Sequence, residues 1–93
     1  MIAQLDELRR VGEELRAVFA DERRAIAALD HARLEQIAEH KRALAERLAE
    51  LREPALASGS PAVRELFAAI QLEARATAKL AAEASQAVRA LLR

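Results

Sequence analysis

Apolar residues recur at alternating steps of three and four along almost the whole chain, a spacing that admits helices and little else. Leu5, Leu8, Val11, Leu15, Val18, Phe19, Ile26 and Leu29 fall on one helical stripe, and Leu34, Ile37, Leu44, Leu48 and Leu51 on a second. A third runs from Val63 through Leu66, Phe67, Ile70, Ala74, Thr77, Leu80, Ala81, Ala84 and Val88 to Leu91 and Leu92. The spacing predicts helices over about 3–29, 31–53 and 62–92.

No glycine or proline separates the first stripe from the second. Asp30 stands there instead, and its carboxylate can accept from the free N–H groups of the next helix's first turn. So short a break folds two helices into an antiparallel hairpin, with a single bent helix as the alternative. The run from Pro54 to Pro61, containing Ser58, Gly59 and Ser60, reads as a connecting loop. Ser60 is the expected N-cap there, and Pro61 takes the first helical position, where its missing N–H costs nothing. The expected fold is all-α: an antiparallel helical hairpin plus a third long helix, a coiled-coil-like three-helix bundle in one domain over 1–93.

Composition narrows the chemistry. Hydrophobic residues make up 53% of the chain, yet Phe19 and Phe67 are its only aromatics, so the apolar content is small side chains suited to long helices. Fifteen Lys and Arg balance 15 Asp and Glu, with both signs interspersed, which leaves no basic face for nucleic acid. The absence of cysteine removes any disulfide, thiolate nucleophile or cysteine-based metal site. No run approaches the ~18 apolar residues of a membrane span, and Asp6 interrupts the start of the chain too early for a signal peptide, so a cytoplasmic location is expected.

His31 and His40 are nine positions apart and point to opposite sides of a helix, and neither is preceded by a glutamate at the spacing of a bundle metal site. Both are expected at the surface. Ser58, Ser60 and Ser85 lack a histidine and acid at triad spacing, and Ser58-Gly-Ser-Pro lacks the lysine of a phosphate loop. No catalytic, cofactor-binding or metal-binding residue is assigned, and the chain is expected to act without enzymatic chemistry, by binding another protein. Most charges read as solvated faces, with Arg9 and Glu13, Arg42 and Glu46, and Lys79 and Glu83 spaced for pairing along one helix.

Two charges break the stripes. The seam series Leu8, Leu15, Leu29 is completed by Glu22, and the series Leu34, Leu48 by Lys41. Folding the chain back near residue 30 sets the two at one height, so a Glu22–Lys41 pair is expected. Such a pair either snorkels to water at about 0–1 kcal/mol or fixes the register of the hairpin, and polar seam residues elsewhere favour the second.

The third helix outlasts the second by about nine residues on this reading. With the helix bases aligned, Val88, Leu91 and Leu92 lie beyond the hairpin tip without an intramolecular cover. Together with Leu80 and Ala84 they form the expected partner-binding stripe for another helix. Fraying, or closure of a homo-oligomer, are the alternatives. The alanine-rich stretch 74–87 lets a second helix approach closely.

The run from Glu22 through Asp30, Leu34 and Lys41 to Leu51 resembles the FlgN family of flagellar export chaperones. In that family a helix bearing a glutamate turns at a short acidic corner into a helix with a lysine in its seam, and Glu22, Asp30, Leu34 and Lys41 match in order and spacing. The likeness covers the first two helices, and the third in length and position only. It implies a cytoplasmic chaperone of type III flagellar export that binds helical C-terminal segments of hook-filament junction proteins, with the contact on the third helix. A structural, self-associating coiled coil is the reading from another class.

Overall fold

The computed structural model describes residues 2–93, which form α1 (Ile2–Ala28), α2 (His31–Ala57) and α3 (Pro61–Leu91), with no strand among the described residues. The all-α, three-helix expectation therefore stands, and the break at Asp30 is a true reversal, so the bent single helix is ruled out. Asp30 caps α2 by accepting from the Arg33 backbone N–H at 3.0 Å. On the other side of the corner, Leu29 adopts φ 53°. The N–H of Leu29 then bonds the Ile26 carbonyl at 3.1 Å and that of Asp30 the Ala25 carbonyl at 3.0 Å. That pair of bonds is the paired closure that usually employs glycine at the left-handed position.

The second corner differs from its expectation. Pro54 lies inside α2, which continues to Ala57, so the connector shrinks from 54–61 to 58–60. A proline so close to a helix end forgoes one backbone bond, and the extra turn sets Ala55 one helical turn beyond Leu51, both of them buried. Gly59, at φ 69°, terminates the helix. Ser60 occupies the N-cap position of α3 but makes no side-chain cap bond, while Pro61 is the first helical residue as expected. The Ser58 hydroxyl bonds back to the Ala55 carbonyl.

α1 is the spine. α2 packs antiparallel on one flank and α3 parallel on the other, and these two scarcely touch each other. The molecule is accordingly elongated, 54 × 22 × 16 Å. Leu8, Val11, Leu15, Val18, Phe19 and Ala25 of α1 supply half of the core, facing Ile37, Leu44, Leu51 and Ala55 of α2 and Val63 and Ile70 of α3. α3 approaches closely at Gly12, where a Cβ would stand 3.0 Å from a Leu66 methyl and 3.3 Å from one of Ile70. Past Ile70 the buried and half-buried positions facing inward on α3 are mostly small, Ala74, Thr77 and Ala84, with Leu80 the one large apolar side chain among them. The small side chains cannot reach α2, which explains why the bundle stays open along that seam.

Charged pairs line the hairpin in matching register. Glu7 meets Arg47 through two bonds of 2.6 and 2.7 Å. Glu14 meets His40 at 3.0 Å, and Asp21 meets Arg33 at 3.7 Å. The acids step by seven along α1 and their partners by seven back along α2, so a shift of the hairpin by one turn breaks all three contacts. At the seam itself Lys41 Nζ donates to both carboxylate oxygens of Glu22 at 3.0 Å and sits 5.8 Å from the centre of the Phe19 ring. Glu22 is the more enclosed of the two.

The three pairs expected four residues apart along single helices are not formed. Arg16 pairs with Glu13 and Arg42 with Glu39, each three residues apart, and Arg24 with Asp21 in the same way. In these three the acid precedes the base, the order that complements the helix dipole, but Arg47 pairs with Glu50 at 2.6 Å with the base first, so order alone does not decide which pairs form.

The Arg47 guanidinium, by hydrogen bond first and by charge second, holds the Glu7 carboxyl below its ordinary value of 4.5. The unfolded chain therefore takes up the proton first as pH falls. The stabilisation from this contact is complete above 4.5 and is lost as pH drops through the lower, folded-state value. Acid unfolding followed by circular dichroism is expected to begin at higher pH than in Glu7→Gln, compared with each protein's own stability at neutral pH. Coincident normalised acid curves would contradict this.

Candidate docking site at the open end

The last polar tie between α1 and α3 lies at Thr77. Its hydroxyl donates to the Glu73 carbonyl at 2.9 Å and accepts from the Arg23 guanidinium at 3.0 Å, while Arg23 also pairs with the Glu73 carboxylate at 2.8 Å. Thr77 is buried, its polarity consumed by these bonds. Arg23 and Thr77 are 54 positions apart, the same separation as Gly12 and Leu66, so α3 runs beside α1 at constant offset. At that offset Ala28, the last residue of α1, is level with residue 82. After it α3 runs past the end of α1, with Ile26 facing it only across an open gap.

Two consequences meet at this end. Between the hairpin tip and α3 opens a groove of about 430 Å³. Ile26, Leu29, His31 and Leu34 form its hairpin wall, and Ala81, Ala84, Ser85, Val88 and Arg89 its α3 wall. The groove exists because alanines stand at positions 81 and 84, where bulkier residues would fill it. At its far edge the stripe grows large again: Val88, in the groove wall, is 41% exposed, and beyond it Leu91 is 85% and Leu92 81% exposed.

Of the residues expected to bind a partner, Ala84 and Val88 line the groove, and Leu91 and Leu92 project past it. Leu80 is half-buried and lies outside the lining. The hairpin wall was not anticipated from the sequence. His31, expected at the surface, is exposed but belongs to this wall, and His40 is exposed and engaged with Glu14. No group of three or more potential metal ligands occurs among the described residues. No helix is long and apolar enough to cross a membrane, again among the described residues.

Leu29 is the most unusual residue of the site. It is 58% exposed and holds a backbone conformation that costs an L-residue about 1–2 kcal/mol. A large apolar side chain is thus held on a strained corner and lines the groove. Leu29→Gly is expected to raise the stability of the protein by about 1 kcal/mol, since little packing is lost and the corner relaxes. Urea denaturation measures this; a destabilisation of the same size would show that Leu29 serves the fold instead.

The fold and this end of it define a class, a small three-helix protein with an open, largely apolar groove at one end. No family model matches the chain, and no curated protein or solved structure matches it.

Proposed function

We propose that the protein is a non-enzymatic, cytoplasmic binding protein that docks a helical segment of another protein in the groove between the hairpin tip and α3, as an export chaperone of the FlgN kind would. The observation that carries this reading is the unpartnered continuation of the α3 stripe: Val88, Leu91 and Leu92 remain exposed where α1 and α2 have ended. A helix laid across the hairpin tip supplies the missing neighbour. It covers Leu29 and Leu34 on one side and Ala84 and Val88 on the other, the helix-in-groove mode of recognition. The match of Glu22, Asp30, Leu34 and Lys41 to the family pattern supplies the class of partner, the helical C-terminal segments of flagellar hook-filament junction proteins.

Calorimetric titration with such fragments tests the reading. One-to-one binding is expected, with affinity lost in Val88→Asp and Leu91→Asp while thermal unfolding stays within about 0.5 kcal/mol of the parent, because both side chains are exposed. Saturable binding that both substitutions leave intact would move the site elsewhere. No binding, together with a tight oligomer in sedimentation that Val88→Asp dissociates, would favour the self-associating coiled coil.

A further inference from the structure

Arg89 and Ser85 stand on the groove's α3 wall and His31 on its hairpin wall, and no carboxylate lines it. The apolar stripe beyond it is flanked in the same sense: residues 84–93 contain Arg89 and Arg93 and no acid. This asymmetry is local, because the chain as a whole has zero formal net charge and its other acids are interspersed with bases.

Resting on the helix-docking reading above, we infer that the occupant is an amphipathic helix with carboxylates flanking its apolar stripe, placed to meet Arg89 and Arg93. Charge decides against the chief competitor for the same surface. A second copy offering its own α3 end would bring two more arginines and no carboxylate to an end that already holds Arg89 and Arg93. Like charges at a contact oppose association, whereas an acid-flanked helix converts the same side chains into attraction and steers the encounter. Ala81 and Ala84 set the shape and the cations set the sign, so the groove accepts a bulky apolar stripe with a particular charge border.

Two synthetic amphipathic helical peptides with an identical leucine and isoleucine stripe, one bordered by glutamates and one by lysines, separate the possibilities when titrated by fluorescence anisotropy. The glutamate peptide is expected to bind about tenfold more tightly at low ionic strength, with the difference shrinking as salt screens the exposed pairs. Arg89→Glu is expected to reduce or invert the preference, and Val88→Asp to weaken both peptides. Equal affinity for the two peptides would overturn the charge selection while leaving the helix-docking reading intact. Failure of both peptides to bind would count against the docking reading itself. Concentration-dependent dimerisation that Val88→Asp abolishes, with no peptide binding, would install a second copy as the occupant and overturn the inference.

Discussion

Leu8→Ala is expected to cost the protein about 3–4 kcal/mol, as large-to-small substitutions at well-packed core sites do. Leu8 is 1% exposed, the most enclosed large side chain in the molecule, and it sits on the spine helix, where it serves the hairpin and α3 at once. The bundle cannot collapse onto the vacated space, since α2 and α3 are held at a distance by α1 and hardly contact each other. A domain of 93 residues has roughly 5–14 kcal/mol in total, and an open bundle with two aromatics belongs to the lower part of that range. The substitution therefore removes half or more of the stability, and urea denaturation reads it as a large drop in midpoint. Leu91→Ala, at a site 85% exposed, provides the control and is expected to change stability by less than about 0.5 kcal/mol. A small effect at Leu8 would mean that α1 is not the spine.

Ala84→Leu is expected to separate stability from binding. The added side chain enters the groove beside Ile26 and Leu34, covering apolar surface at about 0.8 kcal/mol per buried CH₂, so the protein gains on the order of 1–2 kcal/mol. The same atoms occupy the space a docked helix requires. Affinity for a helical segment is expected to fall about a hundredfold or more, the size of loss that comes from blocking a buried anchor of an interface. A variant both more stable and unable to bind identifies the alanines as retained for the open groove. Unchanged binding in Ala84→Leu would place the contact away from it.

The legible parts of this structure are the local ones. Each stripe could be traced because helical period is written residue by residue, and the corner at Asp30 because a capping carboxylate acts within three positions. The seam placement of Glu22 and Lys41 followed from heptad counting, since an antiparallel hairpin with a two-residue corner has one register. The overhang of α3 was legible in direction only: α2 runs on to Ala57, so α3 (31 residues) exceeds it (27 residues) by four rather than about nine, and the offset of α3 along α1 supplies the rest.

Other features depend on information that no local window contains. Pro54 looked like a helix stop, but tertiary burial of Ala55 outweighs the loss of one backbone bond at a helix end. The acids Glu7, Glu14 and Asp21 step by sevens, and so do Arg33, His40 and Arg47. Their meeting, however, depends on which flank of α1 the returning helix takes, a matter of handedness that composition does not state. The groove combines the parallel offset of α3 with small side chains at 81 and 84, and only the assembled helices bring Ile26 and Leu34 opposite them. Leu29 is the sharpest case, because nothing in a leucine announces a left-handed corner.

Amide hydrogen exchange, with and without a saturating helical segment from a junction protein, tests most directly that the open end is where the protein does its work. In the protein alone, amides of 84–92 are expected to exchange fast and those around Leu8, Leu15 and Leu44 slowly, because the overhang lacks tertiary cover and the core does not. With the segment bound, protection is expected to rise over 84–92 and at the corner around Leu29, and to change little elsewhere. Protection confined to the base of the bundle, with 84–92 still exchanging freely in the complex, would contradict the account.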